Sequence, residues 1–188
     1  GEKITRLKMP DDMTLFDIAF AGEGTFLAAT QNNLHLCDAE GDKAVSRLTF
    51  PELDYTWIQT VVRMDDDTWF AGTDNTGLWM IRRSGDSINA RAVGDTLFMN
   101  MNIPALNAGP ERTLTIATKD SGAVKVAFST DYSKMIITGR YDVRSGLPDN
   151  NVRTIFTDRE ENLWMGLYTS GLAAVTTNAF AFYRPETD

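Results

Sequence analysis

Apolar residues in this chain come in short runs, and polar clusters cut the runs at steps of about ten residues. The segments AGEG (21–24), MDDD (64–67), NAGP (107–110) and DREE (158–161) each fall between two such runs. The runs are rich in Val, Ile, Thr, Phe and Trp, which suit a pleated and half-buried surface. Helical i, i+3, i+4 stripes of useful length are absent. The pattern predicts antiparallel strands, with the polar clusters as turns between a first and a second strand. Around the second cluster it predicts strands near 57–63, 68–73, 77–82 and 88–93.

The runs repeat. A bulky residue, any residue, a small residue and Thr recur at Thr30, Thr73 and Thr118, and Leu167 takes the Thr place in a fourth copy. A spacing in the forties points to a repeat array, commonly propeller blades or helical pairs. Upstream, Leu15, Ile18 and Phe26 align with Ile58, Val61 and Trp69, then with Ile103, Leu106 and Leu114, then with Val152, Ile155 and Leu163. A four-stranded sheet cannot bury both faces alone, and stacking such sheets around an axis gives a β-propeller. The expected fold is therefore all-β, with blades at about 11–51, 52–94, 98–141 and 146–185. Phe26, Trp69, Phe70, Leu114, Leu163 and Trp164 would fill the space between blades. Ala29, Gly72, Ala117 and Gly166 would let the neighbouring blade approach, and Gly77 and Gly171 would follow hairpin turns.

The segment ITRLKMP (4–10) matches VSRLTFP (45–51), and AFAFYRP (179–185) has the same character. Residues 3–10 thus read as an outer strand of a preceding or closing blade. Four blades with a spare strand read as part of a longer propeller in preference to a complete four-bladed ring. Exposed blade faces would invite a second copy of the chain. Gly1 stands in place of an initiator Met and reads as a processing or tag scar.

The fourth unit, SGLPDNNVRTIFTDREENLWMGLYTSGL (145–172), resembles the two-component regulator propeller repeat. Gly146, Leu147, Pro148, Asn150, Val152, Ile155, Asp158, Leu163, Trp164, Gly166, Gly171 and Leu172 carry the resemblance. The second unit shares Gly72, Thr73, Gly77 and Leu78; the first and third share only strand periodicity. Glu161 stands where that pattern has a turn glycine, and Leu167 replaces Thr. The resemblance implies seven-bladed propellers in the periplasmic or extracellular sensory region of membrane-anchored histidine kinases. It also implies sensing of carbohydrate.

Composition narrows the chemistry. The chain has 188 residues, a formal net charge of −8 and a pI near 4.7. Acidic surfaces repel phosphate backbones, so nucleic acid is a poor partner, and no basic cluster offers a membrane contact. No apolar run approaches a membrane-spanning length. The single cysteine, Cys37, excludes an internal disulfide and reads as a small strand residue. The single histidine, His35, alternates with Leu34 and Leu36 and reads as an outward strand residue. Asp65–Asp67 lack the spacing of a calcium loop and read as a solvated turn; GEG (22–24) is a turn and not a phosphate cradle. No metal site, cofactor or catalytic residue is expected.

Loops at one end of the blades hold the candidate ligand residues. Tyr55 and Trp57 precede a first strand, and Tyr168 lies in a second hairpin turn. Asp74, Asn75, Lys119, Asp120, Asp149, Asn150 and Asn151 fall on the same face. Rings beside Asp, Asn and Lys match a sugar, flat apolar surface for stacking and polar groups for hydroxyls; each residue alone also fits ordinary turn chemistry. The sequence leaves three readings. The first is a non-catalytic sensory or ligand-binding module of a two-component receptor, taking an oligosaccharide or another small ligand. The second is a protein–protein or dimerisation scaffold, and the third a propeller lyase or hydrolase.

Overall fold

A computed structural model describes residues 8–9, 13–176 and 179–183. The chain folds into four antiparallel sheets of four strands each. The first holds β1 (Leu15–Gly22), β2 (Thr25–Thr30), β3 (Leu34–Glu40) and β4 (Lys43–Thr49). The second holds β5 (Ile58–Arg63), β6 (Thr68–Thr73), β7 (Leu78–Ser84) and β8 (Ser87–Val93). The third holds β9 (Ala105–Gly109), β10 (Thr113–Ala117), β11 (Ala123–Phe128) and β12 (Met135–Tyr141). The fourth holds β13 (Val152–Thr157), β14 (Leu163–Leu167), β15 (Gly171–Thr176) and β16 (Ala179–Tyr183). Each sheet is a meander in which neighbours in sequence are neighbours in space. One helical turn, α1 (Asp95–Phe98), links the second sheet to the third.

The sheets stack as propeller blades. The inner strand β1 packs on β5, β5 on β9, and β9 on β13. Among the described residues no comparable packing joins the fourth sheet to the first. Three apolar clusters fill the three junctions. Trp69 lies in the first, with Leu27 and Leu34 of the first sheet; Phe70 on the opposite face lies in the second, with Leu114 and Phe128 of the third sheet. Both aromatics are fully buried, so adjacent residues of one strand serve two junctions, as the two-residue strand period requires. Polar latches cross the same junctions. Trp69 Nε1 donates to the Phe20 carbonyl at 2.8 Å, and Arg83 donates to the Ala21 carbonyl at 2.6 Å while its guanidinium lies over the Trp69 ring. Asp17 accepts from Thr60 Oγ1 and from the Val61 N–H.

The Thr column has a local purpose. Thr73 Oγ1 donates to the Gly77 carbonyl at 2.9 Å and accepts the Thr76 N–H. Thr118 does the same with Gly122 and Ser121, and Thr30 with Asn33 and Asn32. A buried hydroxyl thus closes the turn between second and third strands in three sheets. In the fourth, Leu167 cannot. Gly77 is at φ +82°, and a Cβ there would lie 2.1 Å from the Phe98 carbonyl oxygen, so turn and neighbouring helix both exclude a side chain. At Gly72 a Cβ would lie 2.6 Å from Ile103, on the segment entering the third sheet.

Several expectations need correction. A Cβ on Gly166 would meet Thr154 of the paired strand in its own sheet, not a neighbouring blade. Asn107–Gly109 belong to β9, and the turn there is made by Pro110–Arg112. His35 is buried at 8% exposure on a strand paired on both sides, with β2 and β4, and its Nδ1 lies 3.1 Å from Ser46 Oγ of β4. Trp164 is only half-buried, because no described sheet covers the far face of the fourth blade; its Nε1 donates to Asp158 at 2.7 Å. The outer strand expected at 3–10 is not among these corrections, since only Lys8 and Met9 of it are described: Lys8 pairs in parallel with Lys43, at the outer edge of the first sheet, and Met9 packs against a cluster of that sheet.

Thr73→Val removes the turn's buried hydroxyl, so the Thr76 N–H and the Gly77 carbonyl lose one partner, although the Gly77 carbonyl keeps the Thr73 N–H, at an expected cost of about 0.5–1.5 kcal/mol. Gly77→Ala adds a backbone clash to left-handed strain and costs more than about 2 kcal/mol. Urea unfolding of the two variants measures both.

Candidate functional site

The inner strands of three sheets carry an extra residue at the same place. Leu15 pairs with Thr30 and Asp17 with Ala29, which skips Phe16. Likewise Gln59 is skipped between Ile58 and Thr60, and Arg153 between Val152 and Thr154. A bulge re-aims the skipped side chain. All three engage the loop end of the propeller. Phe16 packs on Trp57, ring centroids 5.1 Å apart. Gln59 Nε2 donates to Asp74 Oδ1 and to Asn102 Oδ1, both at 3.0 Å, and Asn102 Nδ2 also donates to Asp74. Arg153 lies over the Tyr168 ring, 4.6 Å from its centroid.

Backbone hydrogen bonds tie these loops into one rim. Asp74 N–H donates to the Trp57 carbonyl, Lys119 N–H to Asn102, Gly122 N–H to Asn150, and Tyr168 N–H to Asn151. Of the sequence candidates, Asp74, Lys119 and Asp120 line one cavity of about 340 Å³ between the second and third sheets, with Asn100, Asn102 and Ser121. Tyr55, Trp57, Asn75, Asp149, Asn150, Asn151 and Tyr168 do not line it. Tyr55 is 95% exposed and held at φ 60°, and Asn75 is exposed. Asp149, Asn150 and Asn151 form a separate group at the third junction. There Asn151 Oδ1 is buried with no partner among the described residues, and Asn150 Oδ1 accepts the Val143 N–H.

Gln59, Asn102, Phe16 and Arg153 escaped the sequence reading. A signal for them was present: Leu15 and Ile18, Ile58 and Val61, and Val152 and Ile155 are apolar positions three apart, an odd step for a strand of period two.

Electrostatics distinguishes the groups. Asp149 accepts the Asn151 N–H and the Thr169 hydroxyl, each at 2.9 Å, and these bonds hold its carboxyl below the usual carboxylate range. Burial, and then the neighbouring Asp38, push the Cys37 thiol up to about 11, which makes it a poor nucleophile. Burial lowers the His35 pKa, which favours the neutral ring. Among the described residues no group of three or more His, Cys, Asp or Glu is placed to hold a metal. No helix among them is long and apolar enough to cross a membrane.

This geometry defines a β-propeller segment with a polar and aromatic loop rim, and solved structures share the fold. One is the extracellular domain assigned to the hybrid two-component system BT3049 of B. thetaiotaomicron, at TM-score 0.68 and 16% identity over 88% of this chain. Another is YCF48 from Cyanidioschyzon merolae, at TM-score 0.70 and 11% identity over 97% of the chain and 60% of that protein. The WD40 propeller domain of Doa1 aligns at TM-score 0.61 and 12% identity, over 89% of this chain and 51% of that domain. The chain spans 21% of the BT3049 domain's length. No protein-family model matches the sequence, and no curated protein matches it.

Because its folded pKa is lowered, the Asp149 carboxylate stabilises its loop fully above the unfolded value of about 3.9. That contribution is lost as pH falls through the lowered value. Carbon-13 titration of the Asp149 carboxyl should give a midpoint below about 3.9, and Thr169→Val should raise it toward that figure.

Proposed function

We propose that this chain is a non-catalytic ligand-binding propeller module from the periplasmic or extracellular side of a two-component signalling receptor. The observation that carries the reading is the row of bulged residues, which aims Phe16, Gln59 and Arg153 into the loop rim. Bulges are over-represented next to active sites, where they re-aim a side chain. The fold shared with the extracellular domain assigned to BT3049 supports the cellular setting. Within the rim, the cavity between the second and third sheets holds Asp74, Asn102, Lys119 and Asp120. Amide, carboxylate and ammonium groups there match the hydroxyls of an oligosaccharide, and the exposed rings of Trp57 and Tyr168 offer stacking surfaces along the rim. A ligand seated there touches two blades at once. It would therefore favour one relation between them, which is the means by which a binding event could reach a downstream segment.

A second reading, a dimerisation or docking scaffold, is favoured by the open face of the first sheet. Phe20 is 71% exposed there, beside Ile18 and Leu15, and these residues line an apolar cavity of about 260 Å³. Contiguous apolar surface of this kind marks interaction sites.

Calorimetric titration with a panel of oligosaccharides tests the first reading. Saturable heat is expected from at least one glycan, and Asp74→Ala and Lys119→Ala should each weaken it about tenfold, or ~1.4 kcal/mol. No heat from any glycan counts against it. Light scattering tests the second: a clean monomer at micromolar concentration would sink it, and a dimer should dissociate on Phe20→Ser.

A further inference from the structure

One junction breaks the rule that the other two keep. In each of the first three sheets, paired residues of the first three strands form a row facing the following sheet. In the first sheet the row is Ala19, Leu27 and Leu36, and in the second Val62, Phe70 and Met80. Both rows belong to the apolar clusters of their junctions. In the third sheet the same row is Asn107, Thr115 and Lys125, continuing to Gly139. Polar and small residues stand where an aromatic and a methionine stood one blade earlier.

The result is a cavity of about 250 Å³ between the third and fourth sheets. Its third-sheet wall holds that row's Asn107, Thr115 and Lys125. Leu163 and Val175 of the fourth sheet form an apolar patch opposite, and Glu160 and Glu161 come from the turn between β13 and β14. That turn lies at the end of the sheets away from the loop rim. Asn107 Oδ1 accepts the Thr157 hydroxyl at 2.8 Å, which leaves its amide N–H groups as donors. Tyr141 also lines the cavity, and its hydroxyl lies 3.0 Å from where a Cβ on Gly139 would sit, so the small residue makes room for the ring.

The charges are complementary and separate. Lys125 brings an ammonium group and Glu160 and Glu161 bring carboxylates to one cavity, yet the ion pairs among described residues, Arg47–Asp38 and Arg63–Asp66, include none of them. Glu161 is held at φ 64°, a left-handed conformation that costs an L-residue about 1–2 kcal/mol and that glycine adopts freely. A row of large apolar residues would fill the space and stabilise the fold. The chain instead keeps a cavity with an ammonium group on one wall and carboxylates in the turn.

We propose that this cavity binds a small zwitterion, a free α-amino acid. Its carboxylate is received by Lys125 with the Thr115 hydroxyl and the Asn107 amide, and its ammonium by Glu160 and Glu161. Leu163 and Val175 offer the apolar surface for its side chain. The site is separate from the loop rim and does not rest on the function proposed for it.

Thermal shift followed by calorimetry on the whole chain, with the common L-amino acids as probes, tests this. At least one should bind saturably, while propionate and propylamine, which carry one charge each, should bind at least about tenfold more weakly than it does. Thr115→Leu combined with Lys125→Met restores the row of the preceding blades; it should abolish binding and hold or raise the melting temperature. Glu161→Gly, on an exposed turn, should weaken binding about tenfold without lowering the melting temperature. Absence of any shift or heat with every amino acid would overturn the proposal, as would undiminished binding in both variants.

Discussion

No sheet in this chain can cover its own apolar surface. That constraint organises the structure. Trp69 and Phe70, adjacent on one strand, point to opposite faces, and both are fully buried only because a sheet stands on each side. Stacking of this kind makes stability a sum of sheets and junctions, with the ends weaker than the middle. The first and fourth sheets show it directly: Phe20 and Phe156 are largely exposed, and Trp164 is half-buried.

The frame that satisfies this constraint is repetitive, and its chemistry is local. Thr30, Thr73 and Thr118 close equivalent turns with the same pair of hydrogen bonds. Trp69 and Arg83 latch the second sheet to backbone carbonyls of the first. None of this requires a ligand. The proposed binding chemistry rests on side chains that differ from sheet to sheet at repeated positions: the bulged Phe16, Gln59 and Arg153 at one end, and Asn107, Thr115 and Lys125 within the third junction.

The frame was largely legible in the sequence. Short apolar runs rich in Val, Ile, Thr, Phe and Trp, cut by polar clusters, and a spacing in the forties place the strands, and those expected in the second unit agree with β5–β8 to within two residues at each end. The site was less legible. Periodicity located the loops of Asp74, Lys119 and Asp120, which line one cavity, but adjacency in the rim depends on how neighbouring sheets stack. Gln59 was hidden because a bulge looks like one more strand residue unless the spacing of its apolar neighbours is counted. Trp164 was expected to be core because the repeat makes it so; whether such a residue is covered depends on the next sheet, and the local pattern contains no information about that.

Native-state hydrogen exchange tests the stacking account most directly. If each sheet is held chiefly by its neighbours, amides of β6 and β10, in sheets covered on both faces, should exchange slowest, and those of β2 and β14 markedly faster. Equal protection across all four sheets, or greatest protection in the first or fourth, would contradict it.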